Sequence, residues 1–156
     1  MSTNEAKLSR RITMQLSDIE GAVMRAQSGW TQYKASGDEL YLDSVALGLH
    51  GFYNGIEGVL ENIATSLDKQ LPGGSSWHKD LLEQMSNELP GVRPAVISGS
   101  TFVILDEYLG FRHVVRNIYS HKIDAERLTP LAEGARAAFM QVSQELTEFA
   151  QWLLGV

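Results

Sequence analysis

The 156-residue chain contains no cysteine. That excludes a disulfide framework, a cysteine-based zinc site and a thiolate nucleophile, and it fits a reducing compartment. Proline is scarce: the only four stand at 72, 90, 94 and 130. Each falls where a helix is expected to start or stop, the place where proline does least harm. Long apolar runs are also missing. The most apolar stretch, Thr101 to Leu105, is stopped by Asp106 and Glu107, far short of the ~20 residues a membrane helix needs. The N-terminal Ser2-Thr3-Asn4-Glu5-Ala6-Lys7 is polar and lacks the apolar core of a secretory signal. A cytoplasmic protein with no membrane contact is expected. No HExxH, no paired Cys/His set and no dense carboxylate cluster occurs, so no metal site is expected. No glycine-rich phosphate loop follows a strand, which excludes nucleotide binding of the Walker or Rossmann kind, and no cofactor is expected.

Positive charge is the next shortage. Thirteen Lys and Arg stand against nineteen Asp and Glu, for a net charge of −6. That balance counts against sweeping, non-specific coating of nucleic acid. The distribution is uneven, however. Residues 35–90 hold nine acidic and two basic side chains, whereas residues 108–123 hold Arg112, Arg116 and Lys122 and no acid. A confined basic cleft is therefore compatible with the composition, and the acidic region is available to a partner.

What is present is helical periodicity. Leu8, Ile12, Leu16, Ile19 and Val23 form one apolar stripe behind a Ser2/Glu5 capping box, and Ser36-Gly37-Asp38 ends that helix. A second helix is expected over about 39–71, with Leu42, Val45, Leu49, Phe52, Ile56, Val59 and Ile63 inward. A short third covers about 77–89, N-capped by Ser75 or Ser76. A fourth begins near Ser100 and reaches about His121. Thr129 is expected to cap the last helix, with Pro130 at its first position and an end near Leu154. No strand alternation appears. The expected fold is all-α, a single domain over 1–156, built as an up-and-down bundle of four long helices and one short one.

Two further patterns bear on packing. Gly48, Gly51, Gly55 and Gly58 fall on one side of the second helix. Each costs about 1 kcal/mol against alanine in a helix interior, so a second helix must approach closely there, from this chain or from another subunit. Trp30, Trp77 and Trp152 stand at helix ends as packing anchors. His50 reads as a packed histidine, and His78, following Trp77 in a first turn, as a capping or surface residue.

The fourth helix carries the chemistry. At about 100° per residue, Arg116, Ser120, His113, Asn117 and His121 fall within an arc of about 140°. Asp106 and Gly110 precede them on the same arc, with Leu109 as one apolar intruder. Tyr108, Phe111, Val114, Val115, Ile118 and Tyr119 lie opposite. A merely solvated face would carry paired Lys and Glu. This one offers a guanidinium fork, an amide and imidazoles that titrate near neutrality, the groups that hold and protonate phosphate. Arg112 lies at the edge of the arc and suits contact with a substrate backbone, with Arg93 a weaker candidate.

Phe111-Arg112-His113-Val114-Val115-Arg116-Asn117-Ile118-Tyr119-Ser120-His121 contains Arg-Asn-x-x-x-His, which resembles the R-x4-6-H motif of HEPN domains. Together with His50-Gly51-Phe52-Tyr53-Asn54-Gly55-Ile56-Glu57, Trp77-His78-Lys79-Asp80-Leu81-Leu82 and Val92-Arg93-Pro94-Ala95-Val96, the chain resembles the HepT-like ribonuclease toxins over most of residues 8–150. The resemblance implies a metal-independent endoribonuclease toxin held in check by an antitoxin, typically a minimal nucleotidyltransferase. It implies a homodimer that brings two motifs together across a cleft. Arg116, His121 and Asn117 take the catalytic roles; Arg112, His113 and Ser120 are the candidate RNA contacts. One departure stands out. Many HepT toxins carry a tyrosine two residues after the histidine, which the antitoxin modifies with AMP; this chain has Ile123 there, so AMP transfer to that position is not expected.

RNA can be cut without metal when its own 2′-OH attacks the adjacent phosphorus. That requires a base at the 2′-OH, an acid at the leaving 5′-oxygen and a cation for the developing charge. Arg116 suits the last task, and His121 suits acid or base work. A second imidazole would come from a facing subunit or from His113. The alternative is a non-catalytic HEPN module that binds RNA or nucleotide as partner of a nucleotidyltransferase; a purely structural helical dimeriser is a third reading.

Overall fold

The computed structural model describes residues 2–116 and 123–156, with side chains placed for all of these except 113–116. Its helices are α1 (Thr3–Ser36), α2 (Leu40–Ile63), α3 (Trp77–Ser86), α4 (Gly99–Arg116) and α5 (Ala125–Leu153). The fold is all-α, and the described residues contain no strand, only an isolated antiparallel bridge between Leu89 and Arg93. α1 opens with the expected capping box: Ser2 Oγ accepts from the Glu5 N–H at 3.1 Å, and the Glu5 carboxylate accepts from the Ser2 N–H at 2.9 Å. Gly37, in the left-handed region at φ 71°, stops it.

α1 runs antiparallel to both of its long neighbours. Against α5, Ser9 Oγ donates to the Ala150 carbonyl at 2.9 Å near one end, and Lys34 meets Glu133 near the other. Against α2, the glycine row finds its explanation within the chain. A Cβ on Gly48 would lie 2.7 Å from both the Ala22 carbonyl oxygen and the Ala26 nitrogen, and Gly51 faces the Ala22 methyl. Gly55 faces the Ile19 side chain. The close neighbour is thus α1. Val45, Leu49, Phe52, Ile56 and Val59, the expected inward face of α2, are fully buried, at about 1.5–3 kcal/mol each. Of the three tryptophans, Trp30 is buried and stacks on Tyr33, while Trp152 stays 43% exposed.

Three boundaries differ from expectation, and two share one cause. α2 does not continue to Leu71. Its helical pairing widens after Ile63 into a single π turn, Ala64–Asp68, and Lys69 at φ 60° ends it. α3 stops at Ser86, and Asn87 is extended. Both segments turn to serve Arg93. Its Nε donates to Asp68 Oδ1 and its NH2 to Asp68 Oδ2, each at 2.7 Å, while the Asn87, Pro94 and Gln84 carbonyls accept at 2.8, 3.0 and 3.2 Å. Arg93 is 5% exposed, so its reading as a substrate contact is corrected: the guanidinium is a structural latch, occupied by five acceptors within its own chain.

The third difference is the start of α5. Asp124, not Thr129, is the N-cap, its carboxylate accepting from the Glu126 N–H at 3.0 Å. Pro130 lies inside the helix. Starting one turn earlier buries Leu128 completely. Thr129 instead turns its hydroxyl back to the Ala125 carbonyl at 2.7 Å. α4 starts at Gly99, and Ser98 Oγ accepts from the Thr101 N–H. Glu145 of α5 holds Ser98 through both its N–H and its hydroxyl at 2.8 Å. The expected far end of the fourth helix, near His121, lies outside the described residues.

Candidate functional site

α2 is apolar on most sides, yet one line along it is polar: His50, Asn54, Glu57 and Glu61, at spacings of four, three and four. That spacing keeps all four on one face. α3 and α4 pack against α2 and meet it along this line. Tyr53 Oη donates to Glu57 Oε2 at 3.0 Å, and His78 Nδ1, from the first turn of α3, reaches the same oxygen at 2.7 Å. Arg112 NH1, from α4, donates to His78 Nε2 at 2.9 Å, and Arg112 Nε donates to Asn54 Oδ1 at 3.2 Å. Asn54 Nδ2 in turn lies 2.8 Å from His50 Nε2. One hydrogen-bonded seam therefore joins three helices.

The donor inventory fixes the protons. A guanidinium only donates, so His78 Nε2 must present its lone pair to Arg112. His78 is then the neutral tautomer with its proton on Nδ1, donating to Glu57. Asn54 accepts from Arg112 through Oδ1, so its amide donates to His50 Nε2. The Tyr53 phenol is pushed well above its ordinary range, first by burial and then by the Glu57 charge. It remains a donor at any ordinary pH. Glu61, a turn further along, is also raised, by burial first and by Glu57 second.

Arg112 is half-buried, and among the described residues no carboxylate forms an ion pair with it. The negative charge nearest to it within the seam, on Glu57, is separated from it by the imidazole. His78 retains 14% side-chain exposure and packs its ring against Trp77 at a centroid distance of 3.7 Å. On the surface beside them, Lys79 pairs with Asp106 at 3.6 Å, an exposed contact of little energetic weight.

Of the site residues expected from sequence, Arg112 is brought together with the stretches His50–Glu57 and Trp77–His78. His113 and Arg116 have their backbone in α4, but their side chains lie outside the described residues, as do Asn117, Ser120 and His121 entirely. Tyr108 and Phe111 are buried as expected. Leu109, the apolar intruder on the polar arc, is buried as well. His78 is neither a cap nor a surface residue: Ser76 is the N-cap of α3, and His78 points into the seam. Ile123, in the position of the family tyrosine, is partly buried against the core. Glu57, Tyr53 and Asn54 were not anticipated as a set. The readable signal was a glutamate at the centre of an apolar helix with polar neighbours at helical spacing on one side. Among the described residues, no group of three His, Cys, Asp or Glu side chains is placed to hold a metal ion, and no helix is long and apolar enough to cross a membrane.

An all-α bundle whose second and third helices converge on a fourth helix at Arg112, in a chain whose sequence reads Arg-Asn-x-x-x-His from Arg116, is of the HEPN class. More narrowly, the model of the family described as HepT-like protein matches residues 44–153, from α2 through α5, and the chain belongs to that family. Among curated proteins and solved structures, no match was found.

Proposed function

We propose that the protein is the toxin of a toxin–antitoxin pair, a metal-independent endoribonuclease of the HEPN type, with the whole of 1–156 forming one such domain. The observation that carries this reading is the HepT-like match, which spans Arg116, Asn117 and His121. The seam supports it by placing on α4 a guanidinium, Arg112, that has no carboxylate ion-pair partner among the described residues. Arg112 precedes Arg116 by about one turn along the α4 backbone, a rise of about 6 Å, and in this reading both contact phosphate.

The chemistry is transesterification. The 2′-oxygen forms a bond to phosphorus as the bond from phosphorus to the 5′-oxygen breaks, leaving a 2′,3′-cyclic phosphate. Arg116 stabilises charge developing on the non-bridging oxygens, Asn117 orients the phosphate, and His121 exchanges the proton. Arg112, His113 and Ser120 hold the flanking backbone. A homodimer joins two such faces in one cleft. The partner is an antitoxin of the minimal nucleotidyltransferase kind, and the compartment is the cytoplasm. With Ile123 lacking a hydroxyl, neutralisation acts by covering the cleft or through another residue.

The deciding experiment is digestion of RNA in EDTA by wild type, Arg116→Ala and His121→Ala. Cyclic 2′,3′-phosphate ends from wild type, and loss of cutting in both variants, are expected. Equal activity in all three, or inhibition by EDTA, overturns the reading and leaves a binding module.

A further inference from the structure

Cleavage by in-line attack needs proton transfer on both sides of the phosphorus, and besides a facing subunit and His113 the seam offers a third source of the second imidazole, His78. We propose that His78 is the general base of the RNA-cleaving site, oriented by Glu57 and uncovered when Arg112 transfers from His78 Nε2 to a substrate phosphate. This rests on the ribonuclease reading above.

Three features of the seam lead there. The first is the tautomer. With Arg112 donating to Nε2, His78 rests in its neutral form, its one lone pair aimed at the position Arg112 NH1 now fills, 2.9 Å away. The second is the carboxylate behind it. Glu57 Oε2, 2.7 Å from Nδ1, fixes the ring and stabilises the imidazolium formed when Nε2 takes a proton. Tyr53 Oη donates to the same carboxylate oxygen at 3.0 Å and helps fix it. The geometry is that of an oriented acid–base histidine. The third is the stopper. Arg112 is held by two neutral acceptors, Asn54 Oδ1 and His78 Nε2. A phosphate, offering charge and a matching fork, is a stronger acceptor than either. Substrate binding therefore removes the group that occupies the base, so that Nε2 becomes available when a phosphate is in place.

The step balances. The 2′-OH proton moves to His78 Nε2 as the 2′-oxygen bonds to phosphorus. The 5′-oxygen leaves with a proton from the His121 imidazolium. His78 then returns its proton to water, His121 takes one up from water, and Arg112 reoccupies Nε2. Among the described residues, the titratable and charged groups around His78 are Tyr53, Glu57 and Glu61, with His50 beyond Asn54, from α2; Asp106 and Arg112 from α4; and Lys79 and Asp80 on its own helix.

The test uses the full chain and an RNA oligonucleotide whose cleavage site wild type has defined, with kcat/KM followed across pH. His78→Gln is expected to lower kcat/KM by about 10²–10⁴-fold and to remove the acidic limb of the profile. Glu57→Gln, which preserves the shape and the acceptor oxygen, is expected to retain more activity and to move that limb to lower pH, because the imidazolium loses its counter-charge. A merely structural histidine would not move the limb in Glu57→Gln. An RNA with sulfur in place of the scissile 5′-oxygen separates the two histidines. That leaving group departs without a proton, so it restores cutting by His121→Ala and not by His78→Gln. If wild type and Arg116→Ala differ as expected but both His78→Gln and Glu57→Gln keep the wild-type profile, His78 is not the base and the ribonuclease reading stands. If wild type does not cut, both fall.

Discussion

Arg93 and Arg112 are both drawn from solvent into the bundle, and their surroundings are opposite. Arg93 meets the Asp68 carboxylate directly through a two-point fork at 2.7 Å and three carbonyls besides. Its charge is neutralised and its donors are occupied. Among the described residues, Arg112 meets an amide oxygen and an imidazole nitrogen, and its nearest counter-charge within the seam lies on the far side of His78. The first arrangement holds three chain segments together. The second keeps a cation poised with acceptors that a phosphate can outcompete. Under the proposed function, a guanidinium drawn into this bundle is a latch where a carboxylate holds it and available to substrate where neutral groups do.

The largest effect expected is therefore on stability, at Arg93. Arg93→Ala leaves the Asp68 charge buried without its counter-charge, with the Gln84 amide still donating to it and its side chain 4% exposed, and should cost about 3–5 kcal/mol, read as a fall in the urea midpoint. RNA cleavage per folded molecule should be unchanged. A variant that unfolds at the wild-type midpoint would erase the distinction drawn here.

Arg112→Ala should behave in the reverse sense. The acceptors it leaves, Asn54 Oδ1 and His78 Nε2, lie in a part-exposed seam where water can replace the guanidinium, so the stability loss should stay near about 1 kcal/mol. RNA affinity should fall, and the slope of log affinity against log salt should drop by roughly one phosphate contact. Binding is best measured on His121→Ala, which separates it from turnover.

Much of this was legible in the sequence. The apolar spacing announces every helix, because burial of one face is what makes each stable, and the glycine row announces a close approach to α2, which the structure assigns to α1 rather than to another subunit. The latch was not legible. Asp68 and Arg93 are 25 residues apart, and nothing local says that α2 must widen at Ala64 or α3 stop at Ser86 to let them meet. Pro130 misled for a related reason: burial of Leu128 outweighed the proline's preference for a first position. In the site, Arg112 could be named from its helix face. Glu57 and His78 could not be paired without knowing that α3 folds back over α2.

Acid should expose the same contrast through the carboxyl groups. Burial raises the Asp68 carboxyl, but hydrogen bonds from Arg93 and Gln84, together with the Arg93 charge, outweigh burial and hold it below its ordinary value. A carboxyl lowered by folding stabilises the fold above its unfolded value. That contribution is lost as pH falls below about 4 through the folded value. Asp68→Asn should thus lower the urea midpoint near neutrality and flatten its decline in acid, by less than Arg93→Ala because the amide still offers one oxygen to the guanidinium.

Glu61 carries the opposite sign and the smallest effect. Its carboxyl is raised, by burial and by the Glu57 charge beside it, because the seam puts carboxylates together without a guanidinium directly on them. Folding then binds this proton more tightly than the unfolded chain does. The penalty is present above the folded value and disappears below about pH 4, where both states are protonated. Glu61→Gln should therefore stabilise the protein at pH 7, by less than about 1 kcal/mol for a partly exposed group, with no gain at pH 3. Measured side by side, Asp68→Asn and Glu61→Gln should move the urea midpoint in opposite directions at neutral pH and converge on wild type in acid. If both destabilise alike, the seam is a second latch, and Arg112 is held as firmly as Arg93.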